Sequence, residues 1–483
     1  MSDFEIRPSE RLQRLPPYLF ARINALKHKK RQQGIDIIDL GMGNPSDPTP
    51  EPIVKKLCEA VMDPRNHRYS VSRGLFNLRR DVARKYKAKY GVTLDPEHEI
   101  VACIGSKEGI SHMCLAMLGP GDTAVVGDPA FPIHVYGVAM AGANVISVPL
   151  GNDEAFLERI AYVCGHLYPR PKLIILNYPH NPTAMTVDAP FFEQVVALAR
   201  RFGVAIIHDF AYGETCFDSY KAPSFLSAHG AKEVGCEFTT MSKPYNMAGW
   251  RIGFCAGNAT MVNALATIKG YYDYGVFQPV QIASIIAMRE CDADVKRQAR
   301  VYQSRRDVVL EGCKRLGWEA EKCRASMFVW ARVADEHLAG KGTIDLCMRL
   351  MDEAEVALAP GRAFGENGEG YVRIALVENE QRLRQAFRQM ARVLQPSRAA
   401  AEPKREKRRP GDDAKTRSRV NGKTAVRNAE VPPEQRPLRR SDEGEVVDEV
   451  RDRGPAEEDS DAAASASPTA GRTQDADGGE MTD

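Results

Sequence analysis

Short apolar runs alternate with helical patterns through much of the chain. Four of the runs carry mostly aliphatic residues, at 123–126, 145–148, 173–176 and 204–207. Two helical patterns, at 133–141 and 191–202, lie between most of them. Continuous apolar strands separated by helices predict an α/β fold with a mainly parallel sheet that is covered on both faces. Polar residues that follow such strands should gather at one edge of the sheet and form a functional site.

A second pattern of strands and helices follows, and it predicts a smaller α+β unit. Its strands are predicted at 327–333, 356–359 and 371–376, and its helices at 344–354 and 381–394. The sequence therefore predicts three parts, which are an N-terminal arm at 1–50 that adds to the small domain, a large domain at 51–285 and a small C-terminal domain at 286–396.

The composition changes sharply after residue 396. Residues 397–440 carry 14 Lys and Arg against 6 Asp and Glu, whereas residues 441–483 carry 3 against 14. Neither part contains an aromatic residue, so the segment has too little apolar surface to offset the entropy of ordering it. We predict a disordered charged tail at 397–483. A nucleic-acid arm in its basic half is the alternative, but the adjacent acidic half and the lack of stacking residues disfavour it.

The overall composition predicts a cytoplasmic enzyme or binding protein. Hydrophobic residues make up 43% of the chain and charged residues 27%, which is ordinary for a globular protein. No run approaches the roughly 20 apolar residues that span a membrane. The first residues lack the pattern of a signal peptide, and the eleven cysteines form no Cys-x-x-Cys pair, so we expect free thiols.

The candidate chemistry centres on Lys243, in the segment TTMSKPYNMAGWRIGF at 239–254. This lysine lies in a loop between two strand-like runs, close in sequence to the hydroxyls of Thr240 and Ser242 and to the guanidinium of Arg251. Such a mixture suits an amine nucleophile beside a phosphorylated anion. A lysine on a surface turn would be the simpler interpretation of the Ser-Lys pair alone.

Three further stretches favour the chemical interpretation. They are NYPHNPT at 177–183, VAIIHDFAY at 204–212 and YVRIA at 371–375. In this order and spacing, the four motifs resemble those of fold-type-I aminotransferases, which depend on pyridoxal 5′-phosphate (PLP). The resemblance covers roughly residues 10–396, and it implies a large domain with a mainly parallel sheet and a smaller α+β domain.

The resemblance implies a role for each residue near the cofactor. Lys243 would carry PLP and move the substrate proton, Asp209 would keep the pyridine nitrogen protonated, and Tyr212 would hold the 3-oxygen together with Asn181. Lys243, Asp209 and Tyr212 are thus the predicted catalytic residues. The Gly-Ser turn before the helical pattern at 110–117 offers free N–H groups to a phosphate. The implied phosphate anchors are Ser106, Lys107, Thr240, Ser242 and Arg251.

The remaining implied roles concern stacking, the second subunit and the substrate. Phe131 would stack on the cofactor ring, and Tyr69 would reach the phosphate of the other subunit in a homodimer. Arg373 would bind the substrate α-carboxylate in a fork, with Gly43 and Asn181 as further substrate contacts. His180 and His208 have no partner at metal-ligand spacing, so we predict packing roles for them and no metal site.

The substrate prediction rests on the closest resemblance within the family, to bacterial alanine (glutamate–pyruvate) aminotransferases. The segment 269–277 is rich in tyrosine and contains no arginine that could pair with an aspartate side chain. We predict transfer between alanine and 2-oxoglutarate, with Arg73 as a candidate partner for the distal carboxylate. The alternatives are an aspartate or LL-diaminopimelate aminotransferase, another PLP reaction such as β-elimination or decarboxylation, and a PLP-binding regulator.

Overall fold

The computed structural model describes residues 6–13, 15–16 and 19–395, so the predicted tail at 397–483 lies outside the described residues. The helices are α1 (Glu10–Gln13), α2 (Leu19–Gln32), α3 (Glu51–Met62), α4 (Phe76–Tyr90), α5 (Ser106–Met117), α6 (Pro132–Met140), α7 (Asp153–His166), α8 (Ala189–Phe202), α9 (Ala231–Val234), α10 (Ala259–Tyr272), α11 (Gln278–Glu290), α12 (Asp292–Leu316), α13 (Asp335–Leu338), α14 (Thr343–Glu353) and α15 (Glu380–Leu394). The strands are β1 (Ile38–Asp39), β2 (Ile100–Cys103), β3 (Thr123–Asp128), β4 (Asn144–Pro149), β5 (Leu173–Asn177), β6 (Ala205–Asp209), β7 (Gly235–Thr240), β8 (Gly253–Gly257), β9 (Glu319–Ala320), β10 (Phe328–Arg332), β11 (Val356–Ala357), β12 (Ala359–Pro360) and β13 (Tyr371–Ala375).

Seven strands form the larger sheet, in the order β2-β8-β7-β6-β5-β3-β4. Only β8 runs antiparallel to its neighbours, and the other pairs are parallel. The four predicted apolar runs are the strands β3, β4, β5 and β6, and the two predicted helices are α6 and α8. The predicted mainly parallel sheet is therefore confirmed.

The two faces of this sheet are covered by different parts of the core. Ile174 and Ile206 lie in one hydrophobic cluster, whereas the next residues along each strand, Ile175 and Ile207, lie in another. Successive side chains of a strand point to opposite faces, so a continuous aliphatic run can bury both faces only when helices cover each of them.

Helix boundaries follow local sequence signals. The helix α8 has Pro190 in its first turn, where no intrahelical N–H bond is lost. It ends at Gly203, whose φ of 66° is the left-handed conformation that closes many helices. These two residues mark the start and the end of the helix, and the chain then enters β6 at Ala205.

The smaller sheet has the order β12-β13-β10-β9, with antiparallel pairs throughout. The single strand predicted at 356–359 is wrong, because this stretch forms β11 and β12, which belong to different sheets. The chain passes from a parallel pair with β1 to an antiparallel pair with β13 within three residues. All the residues of the stretch are buried and apolar, so hydrophobicity alone could not reveal the change of partner.

Among the described residues, no helix combines the length and the apolar character needed to cross a membrane. The pairing of β1 with β11 joins the N-terminal segment to the part of the chain that carries the smaller sheet. The domain boundaries themselves remain a prediction.

Candidate active site

Lys243 lies in the loop that follows β7, at the carboxyl edge of the larger sheet. Its Nζ donates a hydrogen bond to the carbonyl oxygen of Gly43, at 2.7 Å. Burial, together with the positive charges of Arg373 and Arg251, lowers the pKa of Lys243 to about 7. A lysine with this pKa has a substantial neutral fraction near neutral pH, so its nitrogen can act as a nucleophile and a base.

Asp209 is the last residue of β6 and is 4% exposed. One carboxylate oxygen lies 3.0 Å from Nε2 of His134, and the other accepts a hydrogen bond from the backbone N–H of Ala211. The side-chain amide of Asn177 donates to the carbonyl of Asp209 at 2.8 Å. These contacts fix the orientation of a carboxylate whose strand is paired with the strand that leads to Lys243.

His134 is a site residue that sequence reasoning missed. It is buried on α6, three positions after Phe131, and the two rings are in edge contact with centroids 5.7 Å apart. The spacing of three residues places both side chains on one face of the helix start, and this is the only local signal that could have found His134. Phe131 itself is half-buried at the residue before α6.

Asn181 and Tyr212 lie beyond the ends of β5 and β6. The backbone N–H of Asn181 donates to Asn177 Oδ1 at 2.8 Å, which holds the segment after β5 close to the sheet. Tyr212 is buried, and this burial raises the pKa of its hydroxyl well above the ordinary value. Its ring packs edge-on against Phe328, with centroids 5.7 Å apart. The structure thus places these residues at the same edge of the sheet as Asp209.

Four of the five predicted anion-binding residues meet near the N-terminus of α5. Thr240 Oγ1 and Ser242 Oγ are 2.9 Å apart, and the backbone N–H of Ser242 also donates to Thr240 Oγ1. Arg251 bonds the carbonyl of Ile104 through Nη2, and Ser106 begins α5. The hydroxyls, the guanidinium and the helix N-terminus together form a favourable anion site. Lys107 is exposed on the first turn of α5.

Two glycines allow this close approach. A Cβ at Gly105 would lie 2.4 Å from Arg251 Nη2, and Gly105 has a φ of 79°. A Cβ at Gly253 would lie 2.9 Å from the backbone nitrogen of Ser106. Any larger side chain would separate Arg251 from the helix N-terminus.

Arg373 occupies the other end of the site. It is 4% exposed on β13, and its two terminal nitrogens donate to Asn181 Oδ1 and to the carbonyl of Gly41, both at 2.8 Å. The guanidinium lies over the ring of Phe328, at 4.0 Å from the centroid, and near the ring of Phe364, at 4.7 Å. Aromatic faces on the guanidinium and a fixed hydrogen-bond geometry orient it for a planar carboxylate.

Gly43 lies between Lys243 and the Phe328 ring. A Cβ at this position would be 2.5 Å from Cζ of Phe328, so only glycine fits there. Glycine therefore allows the backbone at this position to lie against the Phe328 ring, and its contact with a substrate stays a prediction.

Tyr69 does not join these residues within one chain. It is 90% exposed, and its ring packs against Tyr274, with centroids 5.3 Å apart. Arg73 donates to Oδ1 of Asn263 on α10, at 2.9 Å, and burial together with the nearby charge of Arg79 lowers its pKa. Both residues therefore lie apart from the Lys243 cluster of their own chain.

The two histidines predicted to pack are buried. His180 bonds Thr183 Oγ1 at 2.8 Å, and burial lowers its pKa to about 3. His208 lies 2.8 Å from the buried carboxylate of Glu237, which also accepts from Tyr86 at 2.7 Å. Neither histidine has a hydrogen bond to Lys243 or Asp209 among the contacts that the structure describes.

One group of possible metal ligands occurs in the described part of the chain, formed by Glu108, His112 and Asp273. The ammonium of Lys269 lies 3.0 Å from Glu108 and 2.8 Å from Asp273. This buried positive charge forms ion pairs with both carboxylates, so we interpret the group as an ion-pair network.

Comparison with known proteins decides the family. The sequence model of the family described as aminotransferase class I and II matches residues 35–389. The chain belongs to this family. The glutamate-pyruvate aminotransferase AlaC of Escherichia coli strain K12 is 48% identical over 378 residues, which cover 78% of this chain and 92% of AlaC. The LL-diaminopimelate aminotransferase of Moorella thermoacetica is 43% identical over 389 residues, which cover 80% of this chain and 99% of the relative.

A solved structure shows the same fold. Substrate-bound BacF from Bacillus subtilis superposes on the aminotransferase with a TM-score of 0.75 and 34% sequence identity, covering 81% of this chain and 98% of BacF. The fold predicted from the sequence motifs is thus confirmed.

Class I and II aminotransferases depend on PLP, and the residues of this aminotransferase fit that cofactor. A half-buried lysine with a lowered pKa suits the aldehyde, and the anion site at α5 suits the phosphate. The carboxylate of Asp209 suits the pyridine nitrogen, because it lies at the end of the strand next to the lysine. When bound, PLP supplies the sink for the electrons released at the substrate α-carbon.

Proposed function

We propose that the aminotransferase moves the amino group between alanine and 2-oxoglutarate, giving pyruvate and glutamate. The observation that carries the proposal is the convergence of three groups: Lys243 and Asp209 lie at one edge of the larger sheet, and Arg373 reaches Asn181 at that edge from the smaller sheet. An amine base, a carboxylate and a carboxylate-binding guanidinium are the groups that amino-acid transamination requires from protein.

In this proposal the side chains that meet the substrate and the pyridine nitrogen have the following tasks. Arg373 binds the substrate α-carboxylate in a bidentate manner, and Asn181, its hydrogen-bond partner, orients the guanidinium. Lys243 Nζ carries the cofactor and takes the proton from the substrate α-carbon, which its low pKa permits. Asp209 keeps the pyridine nitrogen protonated, and His134 holds the carboxylate in place.

The hydrogen-bonding residues around the cofactor have further proposed tasks. Tyr212 and Asn181 hold the 3-oxygen of PLP, and Phe131 stacks on its ring. The phosphate is held by Ser106, Lys107, Thr240, Ser242 and Arg251. Gly43 presents its backbone to the substrate.

The specificity for alanine is supported by one relative, AlaC, and by the lack of an arginine in residues 269–277. AlaC, whose name gives glutamate and pyruvate as its substrates, is 48% identical. The segment 269–277 contains no arginine to pair with the side-chain carboxylate of aspartate, and an unpaired buried carboxylate is costly. The LL-diaminopimelate aminotransferase from Moorella thermoacetica, at 43% identity, makes that amino acid the second candidate substrate.

Half-transamination decides between the candidates. We expect kcat/KM for alanine to exceed that for aspartate and LL-diaminopimelate by about tenfold or more, which corresponds to roughly 1.4 kcal/mol. Arg73 lies apart from the Lys243 cluster of its own chain, so its proposed role requires that it reach the site of a partner subunit. On that basis Arg73→Ala should raise KM for 2-oxoglutarate more than KM for alanine. A higher kcat/KM for LL-diaminopimelate than for alanine would replace the proposed substrate and leave the assigned chemistry of Lys243 in place.

We also propose a homodimer in which Tyr69 reaches the phosphate of the partner's cofactor. Tyr69, Tyr271 and Tyr274 are 90%, 88% and 61% exposed, and Phe277 beside them is 47% exposed. An exposed aromatic cluster of this kind suits contact with a second copy. When the Tyr69→Phe and Lys243→Ala variants are mixed and exchange subunits, one site of each mixed dimer carries neither change, so some activity should return. A monomer that is fully active at low concentration would refute the dimer.

The cysteines support a cytoplasmic location as a further proposal. All eleven are free thiols, and eight of them are buried. Unpaired cysteines in this number suit a reducing compartment.

A further inference from the structure

Residues 41–49 touch both chemical ends of the site. Arg373 Nη2 donates to the carbonyl of Gly41 at 2.8 Å, and Lys243 Nζ donates to the carbonyl of Gly43 at 2.7 Å. The position of this short segment therefore determines where the guanidinium and the amine lie relative to each other. We call residues 41–49 the bridging segment.

Asp47 anchors the bridging segment to α12. Its carboxylate accepts from both terminal nitrogens of Arg305, at 2.8 and 2.7 Å, and from Nε2 of Gln298 at 2.8 Å. Arg305 is 5% exposed and also donates to the carbonyl of Leu376, just beyond β13. A bidentate pair with a third donor holds the carboxylate in one orientation.

Asn246 connects the bridging segment to the loop that carries Lys243. Its side-chain amide donates to Gln298 Oε1 at 3.0 Å and to the carbonyl of Pro48 at 3.3 Å. Its own carbonyl accepts from Thr49 Oγ1 at 2.7 Å. Asn246 lies three residues after Lys243 and has a φ of 53°, a left-handed conformation that asparagine tolerates better than most residues.

We propose that Asp47 and Asn246 are positioning residues for amino transfer. Asp47 fixes the bridging segment against α12, and Asn246 fixes the same segment against the loop of Lys243, so the distance between the carboxylate-binding end and the amine is set by one hydrogen-bonded network. This inference rests on the proposed roles of Lys243 and Arg373, and neither Asp47 nor Asn246 touches the reacting atoms.

The same helix offers a matched control. Arg306, the next residue on α12, donates to Asp218 at 2.6 Å, and Gln303 Nε2 donates to the same carboxylate at 3.1 Å. Asp218 thus has an arginine and a glutamine partner from α12, as Asp47 does, but it lies outside the bridging segment. Asp47→Asn and Asp218→Asn remove comparable ion pairs, and only the first should affect the site.

Hydrogen exchange of the full-length apoprotein tests the structural part. Backbone amides of the bridging segment should exchange with solvent at least about tenfold faster in Asp47→Asn than in wild type. In the variant, local opening of the segment no longer requires the ion pair between Asp47 and Arg305 to break. Asp218→Asn should leave their exchange unchanged. Equal exchange of the segment in the two variants would overturn the proposal, whatever the activity.

Steady-state kinetics with alanine test the functional part. Asp47→Asn should raise KM for alanine by about tenfold and should lower kcat by a smaller factor. Misplacement of a binding group can reduce the reaction rate by up to about a hundredfold. Arg305→Lys, which keeps the charge and loses the fork, should give a smaller change in the same direction. An unchanged KM in Asp47→Asn, or the same change in Asp218→Asn, would overturn the positioning role.

Asn246→Gly tests the second link while preserving the left-handed backbone. It should lower kcat several-fold more than Asp218→Asn does, since Lys243 loses its connection to the bridging segment. Wild-type kcat and KM in this variant would overturn the role of Asn246. Failure of the proposed function would show in wild type itself, as absence of transamination with every amino acid, and that result would also overturn the positioning role.

Discussion

The two ends of the active site are built in different ways. The phosphate end draws Thr240, Ser242 and Arg251 from one short stretch of sequence, and hydrogen bonds within it join the two hydroxyls. The carboxylate end joins Arg373 to Asn181 and Gly41, which are 192 and 332 positions away in sequence. At the first end, three residues come from one local stretch and only the N-terminus of α5 must be brought to them by packing, whereas every contact of the second end joins distant segments. Changes at the two ends should therefore have different consequences.

The largest effect is expected at Lys243, where the two ends meet. Lys243→Ala removes the amine that carries the cofactor and the base that takes the proton, so turnover should fall by more than about 10⁴-fold. The visible absorbance of the lysine-bound cofactor should disappear. Lys55→Ala, a change at an exposed lysine on α3, is the control and should retain the absorbance. Wild-type colour and turnover in Lys243→Ala would show that another residue carries PLP.

The next effect is expected at Asp209. Asp209→Asn should lower kcat by about 10²–10³-fold, because an amide cannot stabilise the protonated pyridine nitrogen as the electrons arrive. The cofactor should remain bound, because the phosphate end is untouched, and its content can be measured after gel filtration. A loss of less than tenfold would mean that another group stabilises this nitrogen.

A pair of arginine variants separates the two ends directly. Arg373→Lys loses the bidentate fork and should raise KM for alanine by about a hundredfold with normal affinity for PLP. Arg251→Lys should weaken PLP binding and change KM for alanine much less. If both variants changed the same constant, the division of the site into two ends would be wrong.

The smallest effect concerns pH. Since burial lowers the pKa of Lys243 to about 7, its neutral fraction rises as the pH passes through this value. Binding of PLP to the apoprotein, followed by its visible absorbance, should accelerate about tenfold between about pH 6 and pH 8 and then level off. Continued acceleration above about pH 9 would indicate an ordinary lysine.

The same shift predicts a stability change in the apoprotein. Between about pH 7 and about 10.4, the unfolded chain keeps the proton on this lysine while the folded chain releases it. The unfolded state binds more protons in this window, so the contribution of Lys243 to the free energy of unfolding increases with pH. Lys243→Met should abolish that part of the pH dependence in thermal unfolding.

Much of the fold and of the cofactor end follows from the sequence alone. Aliphatic runs between helical patterns predict parallel strands, and the polar residues that follow β5, β6 and β7 must then lie at one edge. Asn181, Asp209 and Lys243 could be placed together on this basis, because Asp209 ends its strand and the other two lie in the loops just beyond theirs. Local order along the chain and the geometry of a parallel sheet suffice for that inference.

Only the tertiary structure decided which distant residues support them. His134 reaches Asp209 because α6 packs near the end of β6, and Asp47 reaches Arg305 because the N-terminal segment crosses α12. The separation of β11 and β12 into two sheets has the same origin. A sequence pattern reports the neighbours of a residue within a strand or a helical turn, whereas these contacts depend on the order of strands and on the packing of helices. That is why the residues that hold the catalytic groups in place were found only in the folded chain.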